Sequence, residues 1–201
     1  METMSDTQLT VLSQEGSRRA FGLLARRQQA GLFRFLRRLL GDDEAARDAC
    51  QETLLKAFVN VSRLRDPRQF KSWVHQIAVN LCRDRGRAAR RDAAGPLLSA
   101  SVSEDNGLGD QLPVAGLAPG ERVDLSLVLR EVLGRLSMEQ RTAILLREVQ
   151  GFNSEEISRI TGVPSATVRS RIYHGLRAMR KMLPDYGVAG RAFGEGGTSD
   201  D

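Results

Sequence analysis

Residues 153–183 read NSEEISRITGVPSATVRSRIYHGLRAMRKML. Asn153 followed by Glu156 is a capping box, in which side chain and backbone N–H groups satisfy one another at a helix start. Ile157 and Ile160 then give that short helix one apolar face, and it runs to about Thr161. Gly162-Val163-Pro164 makes a tight turn. Ser165 is placed to cap a last, longer helix ending near Leu183. Two helices joined by a glycine-containing turn, the second rich in arginine, form a helix-turn-helix.

Set at about 100° per residue, Val168, Ile172, Gly175, Leu176 and Met179 of the last helix share a core face. Ala166, Ser170, Tyr173, His174 and Arg177 oppose it, with Thr167 and Arg169 on the flanks. A recognition helix lays its N-terminal half in the DNA major groove. On that geometry Arg169, Ser170 and Tyr173 reach base edges, whereas Thr167, Arg171, His174 and Arg177 meet phosphates. The plainer reading is a solvated arginine face on a core helix. It is disfavoured because turn, caps and polar face agree.

Working back, apolar periodicity begins near Asp124 with Leu125, Val128, Leu129, Val132 and Leu133. Ser137 with Gln140 is a second capping box, opening a helix through Glu148. Residues 93–124 lose the pattern: Gly, Pro, Ser, Asn and Asp surround isolated apolar residues, the composition of a flexible linker. A few short helical turns around Leu97–Val102 are the alternative. As coil the stretch spans about 30 Å, enough to hold its neighbours apart.

Upstream, Phe21, Leu24, Leu32, Phe33, Phe35, Leu36, Leu39 and Leu40 predict an amphipathic helix from Arg18 to Leu40, ended at Gly41. Asp42, Asp43 and Glu44 then suit the positive N-terminal dipole of a second helix. It runs to about Val61, with Ala46, Cys50, Leu54, Ala57 and Phe58 as its stripe. After a polar loop, Pro67 opens a third helix to about Arg90, burying Phe70, Val74, Ile77 and Leu81. The predicted fold is therefore all-α. It has a three-helix bundle over 17–92 and a helix-turn-helix domain over 125–183, with disordered ends at 1–16 and 184–201.

Charge is sorted the same way. The 201 residues hold 30 Lys+Arg and 25 Asp+Glu, a net +5. By segment the net charge is −3 over 1–16, +10 over 17–92, −4 over 93–127, +5 over 128–183 and −3 over 184–201. Two basic blocks between acidic connectors suit a polyanion, and the bases are nearly all arginine, whose planar fork matches phosphates and base edges. In the first block Arg83, Arg85, Arg87, Arg90 and Arg91 follow Trp73 and His75. Arginines beside an aromatic suit unstacked nucleic acid, although a lone Trp at helical spacing is more often core. Asp42, Asp43, Glu44, Asp48 and Glu52 form an acidic strip that repels DNA. It serves either the helix dipole or a basic protein partner.

Other classes are disfavoured. No apolar run reaches the roughly 18 residues of a membrane span, and the polar start lacks a signal-peptide core. Cys50 and Cys82 are too few for a disulfide scaffold, so a reducing cytoplasm is expected. His75 and Cys82 share a helix face but stand two turns, about 10.5 Å, apart, too far for one metal. No catalytic residue, metal or cofactor is expected.

GDDEAARDACQETLLKAF (41–58), FKSWVHQIAVNLCRDRGRAARR (70–91) and the stretch from LSMEQRTAILLREVQGF (136–152) through Leu183 together resemble the extracytoplasmic-function group of sigma-70 family sigma factors. The resemblance covers about 17–92 and 125–183. It implies a protein that joins core RNA polymerase, directs it to promoters and helps open them. Asp48, Gln51 and Glu52 match the family's D-x-x-Q-E motif, which docks on the coiled coil of the largest polymerase subunit, with the flap as a further contact. Loop residues Arg63, Arg65 and Arg68 would border a flipped base of the −10 element. Trp73, Gln76, Asn80, Arg83, Asp84 and Arg87 fall at helix positions facing that DNA. Thr167, Arg169, Ser170, Arg171, Tyr173, His174 and Arg177 correspond to the surface that reads the −35 element. Arg47 and Ala49 depart from the pattern, where an acid and a larger apolar residue are usual. An anti-sigma factor is a further expected partner. A free-standing helix-turn-helix regulator is the competing reading, and it leaves the acidic helix and the Trp-Arg helix unexplained.

Overall fold

The structure, a computed structural model, describes residues 3–94 and 125–186. Its elements are α1 (Asp6–Gln14), α2 (Arg18–Leu40), α3 (Asp43–Asn60), α4 (Phe70–Ala94), α5 (Leu125–Gly134), α6 (Met138–Glu148), α7 (Ser154–Thr161) and α8 (Ser165–Met182), with 3-10 turns at Val61–Arg63, Pro67–Gln69 and Leu183–Tyr186. The described residues contain helices and turns and no strand. The short turns expected around Leu97–Val102, and the disorder expected from Gly187, lie outside them.

The first expectation to fall is the disordered start. Ser5 and Gln8 form a reciprocal capping box, at 3.2 and 2.9 Å, that opens α1. Leu9 is fully buried, and the hydroxyls of the buried Thr10 and Ser13 donate to carbonyls one turn back. Arg27 and Gln28 of α2 grip Asp6 at 2.7 and 2.9 Å. The bundle therefore has four helices. At the other end the 3-10 turn runs past Leu183, and the Tyr186 hydroxyl donates to Glu131 at 2.6 Å.

Local chemistry explains most boundaries. The Ser17 hydroxyl accepts from Ala20 N–H at the start of α2, and Gly41, at φ 73°, ends it. A left-handed C-terminal residue costs least at glycine. Asp42 caps α3 through Ala45 N–H at 2.7 Å. Asn153 and Glu156 form the expected full box before α7, whereas only the Ser137 half of the other box closes, onto Gln140 N–H. Ser165 does not cap α8: it is the first helical residue, and Pro164 holds the cap position without a side-chain bond.

Phe21, Leu24, Leu32, Phe35, Leu36 and Leu39 of α2 pack against Ala46, Cys50 and Ala57 of α3 and Phe70, Val74 and Leu81 of α4. Burying such a side chain contributes about 1.5–3 kcal/mol. Phe58, expected in this core, is 40% exposed and covers the edge of Phe21 at 5.1 Å. In the second half Val128, Val132, Leu146, Ile157, Ile160, Val168 and Met179 form the centre.

Gly175 is where α8 meets α6. A Cβ there would lie 2.6 Å from Ile144 Cδ1 and 3.3 Å from Gln140 Cβ. Ile144 is itself buried, so it has little room to yield. Gly175→Val is expected to cost about 2 kcal/mol through overpacking, read as a lower thermal midpoint with little change in helical circular dichroism at 20 °C.

The two halves are not held apart. α4 packs against α7 and α2 against α6, and one continuous apolar cluster runs through both halves.

Candidate nucleic-acid and protein interface

Three surfaces carry the predicted residues. On α3 the acidic strip is partly spent on structure. Asp42 caps the helix, Asp43 lies 3.8 Å from Arg37, and Glu52 pairs with Lys56 at 2.8 Å and with Arg85 at 2.7 Å. Hydrogen bonds from Lys56 and then Arg85 hold the Glu52 carboxyl below the usual carboxylate range. Asp48 and Gln51 are exposed. At the three- and four-residue spacing of one helix face, Glu44, Asp48, Gln51 and Leu55 form a single stripe, and Val59 extends it. Leu55 is 64% and Val59 74% exposed. The strip is thus acidic at one end and apolar at the other, a pairing the charge pattern alone did not reveal.

The second surface is a groove of about 430 Å³ between α3, the turn after it and α4, lined by Lys56, Asn60, Arg63, Trp73, Ile77, Asn80, Leu81 and Asp84. That volume falls in the range of ligand-sized pockets, about 300–1,000 Å³. Trp73 is half-buried, its ring 6.1 Å from Phe70, so one edge is core and the other borders the groove. Arg63 and Arg65 are exposed, whereas Arg68 binds back on Asp66 at 3.1 Å and through its own N–H. These bonds lower the Asp66 pKa and raise that of Arg68. Sequence reasoning missed what holds this loop: Gln14 Nε2 of α1 donates to Leu64 O at 2.6 Å and Val61 O at 3.3 Å. The Ser5-to-Gln8 capping pattern was the signal that a helix stood there.

The remaining α4 residues divide. Asn80, Asp84 and Arg87 are exposed. Gln76 and Arg83 instead turn to α7, donating to Arg159 O at 3.3 Å and Thr161 O at 2.8 Å. Burial lowers the Arg83 pKa.

The third surface is α8. Arg169, Ser170, Tyr173, His174 and Arg177 are exposed, while Thr167 and Arg171 are half-buried at the flank. Tyr173, 61% exposed, stacks edge-on with His174 at 5.3 Å. The sequence-derived face is therefore presented intact.

Both thiols are buried, and burial raises each pKa, that of Cys82 to about 12. His75 is buried between Phe35 and Phe152, and its Nδ1–H donates to Lys71 O at 2.8 Å. Nε2 makes no hydrogen bond of good geometry among the described residues, although the Gln150 amide slightly favours a proton. Burial dominates; the bond to Lys71 opposes it and the Lys71 charge adds to it, leaving a pKa of about 4. The unfolded chain takes up its proton near the ordinary 6.5, so it binds more protons than the folded one between these values. The His75 contribution to stability is therefore full above about pH 6.5 and lost as pH falls toward 4. Urea unfolding should weaken by about 2–3 kcal/mol between pH 7 and 4.5 from this group, and His75→Gln should flatten that slope.

Among the described residues, no three His, Cys, Asp or Glu side chains are grouped to hold a metal ion, and no helix is long and apolar enough to cross a membrane.

A helical bundle bearing an acidic-apolar strip and a polar groove, packed on a helix-turn-helix with an exposed arginine face, defines a two-domain protein of the transcription-factor class. The family description "Sigma-70 region 2" matches residues 24–92, and "Sigma-70, region 4" matches 126–179. The chain is 31% identical to the ECF RNA polymerase sigma factor SigW of Bacillus subtilis, over 85% of this chain and 92% of that protein. It is 30% identical to the RNA polymerase sigma-H factor of Pseudomonas aeruginosa, over 89% and 93%. In fold it is similar to CnrH, solved with the cytosolic domain of CnrY, at TM-score 0.65, 23% identity and coverage of 90% and 97%. It is also similar to the sigma factor RpoE of Bartonella quintana, solved with the anti-sigma factor NepR, at TM-score 0.57, 24% identity and coverage of 78% and 91%. The chain belongs to the extracytoplasmic-function group of sigma-70 family RNA polymerase sigma factors.

Proposed function

We propose that this chain is a transcription initiation factor that binds core RNA polymerase in the cytoplasm, selects promoters through −10 and −35 elements and helps melt them. The observation that carries this reading is the groove on α4 standing beside the acidic-apolar stripe of α3, in the same chain as an exposed recognition helix. Asp48, Gln51 and Glu52 meet the coiled coil of the largest polymerase subunit, and the second domain meets the flap. Duplex DNA is read by the α8 face: Arg169, Ser170 and Tyr173 at bases, Thr167, Arg171, His174 and Arg177 at phosphates. The α4 groove takes the opened strand. Flipping a base costs a few kcal/mol, which Trp73, Asn80 and the arginines of the loop offset by stacking and by contacts to the strand.

Run-off transcription on genomic DNA with core polymerase, with start sites mapped, tests this directly. Specific starts should appear only with both components. Tight, sequence-specific operator binding by the protein alone, with no polymerase-dependent starts, would mean a free-standing regulator. An anti-sigma factor is proposed as a further partner, since one similar structure is a complex with the anti-sigma factor NepR and another a complex with the cytosolic domain of CnrY. Activity in cells that is unchanged by deleting and restoring every neighbouring inhibitor gene would exclude it.

A further inference from the structure

The loop that carries Arg63 and Arg65 has little structure of its own. A single 3-10 turn, Val61–Arg63, leads from α3 to Leu64, whose N–H returns to Val61 O at 3.2 Å. Asp66 then starts the next turn through Arg68 N–H at 3.0 Å. Val61 and Leu64 are buried, while Arg63 and Arg65 are exposed. Among the described residues, both side-chain hydrogen bonds that reach this loop from a distant part of the chain come from Gln14.

The donor fits its acceptors. Both neighbours of the half-buried Gln14 amide are carbonyl oxygens, so it can present only its NH2 group, whose two N–H bonds match two acceptors. Leu64 O receives it at 2.6 Å and Val61 O at 3.3 Å. One amide thus clamps both ends of the turn. Gln14 is the last residue of α1, and the corner behind it is fixed. Gly16, at φ 98°, reverses the chain there, and Ser17 N–H closes on Leu12 O at 3.0 Å. α1 itself is seated by the buried Leu9 and by the grip of Arg27 and Gln28 on Asp6, and it packs on both 3-10 turns beside the loop. A rigid path therefore runs from α2 through α1 to the backbone beneath Arg63 and Arg65. α1 precedes residues 24–92, where the region 2 description matches.

We propose that Gln14 is a positioning residue for capture of the opened strand: by clamping Val61 O and Leu64 O it sets the backbone from which Arg63 and Arg65 reach the DNA. Ordering a loop costs backbone entropy residue by residue, and a loop already held before binding leaves that cost out of the binding step. Docking through α3 and duplex reading by α8 draw on other residues. The clamp is a property of the free chain, whereas its task at the strand rests on the sigma-factor reading.

The test compares Gln14→Met, similar in length but without a donor, with Gln14→Lys, which keeps one. In the free full chain, methionine should speed amide hydrogen exchange across 61–66 about tenfold, the effect of roughly one net hydrogen bond. Exchange in α2 and α4 should not change, and lysine should keep the loop protected. Holoenzyme assembled on core polymerase is then titrated with a fluorescein-labelled single strand, the non-template −10 strand of a promoter mapped by run-off transcription. Methionine should weaken that binding about tenfold, while affinity for core polymerase and for a duplex carrying only the −35 element stays within about twofold. Adding Glu15→Lys, at an exposed position, to the methionine variant supplies charge without the donor and should not rescue it. A merely structural side chain predicts no loss, since methionine suits a half-buried site at least as well as glutamine. Unchanged exchange at 61–66 overturns the clamp. Faster exchange with unchanged strand binding, or rescue by Glu15→Lys, overturns the positioning role. Unsubstituted holoenzyme that binds no promoter strand overturns the sigma-factor reading and the loop's task with it, whereas the exchange result still decides the clamp.

Discussion

Arg141→Met is expected to cost about 3–5 kcal/mol and to unfold the helix-turn-helix half. The guanidinium is 3% exposed and donates to four carbonyls: Leu133 O at 2.7 Å, Gly134 O at 2.8 Å, Leu136 O at 3.1 Å and Leu39 O at 2.8 Å. All four lie at the C-terminal ends of α5 and α2 or just beyond, where the dipole favours a cation and backbone acceptors run short of intrahelical donors; Leu133 O also accepts from Leu136 N–H at 3.1 Å. Methionine fills part of the volume but satisfies none of them. A buried acceptor left without a donor costs about 1–3 kcal/mol, and water reaching some of the four brings the total below their sum. Against a whole-protein stability of about 5–15 kcal/mol this is decisive. Urea titration followed by circular dichroism should show the loss. Arg141→Lys should fall between, since an ammonium keeps the charge but not the planar reach to four acceptors. A cost under 1 kcal/mol for methionine would mean that water substitutes freely, and that the arginine is not what joins α5 to α6.

What the sequence disclosed follows from how local each signal is. Helices α2 to α8 are written in periodicity and caps, both properties of neighbouring residues. The α8 face was legible for the same reason, because once Val168 and Met179 point inward the positions of Arg169 and Tyr173 are fixed. α1 escaped because nine residues give a weak apolar stripe. Its burial depends on contacts with α2, made as far along as Arg27 and Gln28, and on the loop at Val61 and Leu64 that Gln14 holds, which is distant in sequence. The contact between halves escaped for a deeper reason. Arg83, Gln76 and Lys71 are held by backbone carbonyls, which every residue carries and no sequence marks. Gly175 read as one core-face residue among five, and only the approach of Ile144 shows that its lack of a side chain is required. Composition pointed to DNA for the whole α4 edge, yet local charge cannot say which acceptor occupies an arginine in the free chain.

Asp48→Arg is expected to lower affinity for core polymerase about 100-fold while leaving the fold intact. Asp48 is exposed in mid-helix, where a substitution typically moves stability by no more than about 0.5 kcal/mol. Its neighbours explain why it, rather than Glu52, should dominate. Glu52 is already held by Lys56 and Arg85, so a polymerase cation must compete with two internal ones. Asp48 stands between Glu44 and Gln51 on the stripe that continues into Leu55 and Val59. An arginine there meets a partner surface selected for acids, and facing like charges cost several kcal/mol; about 3 kcal/mol corresponds to roughly 100-fold. Glu52→Gln should weaken binding far less, because exposed ion pairs are worth about 0.2–1 kcal/mol and the freed Arg85 alters the neighbouring charge only modestly. Val59→Asp should reduce affinity by removing apolar area at the other end of the stripe, and salt should affect that loss less than the Asp48 loss. Affinity for core polymerase within threefold of the unsubstituted protein for Asp48→Arg, with thermal unfolding unchanged, would leave the acidic end of α3 as dipole compensation and move polymerase docking to another face.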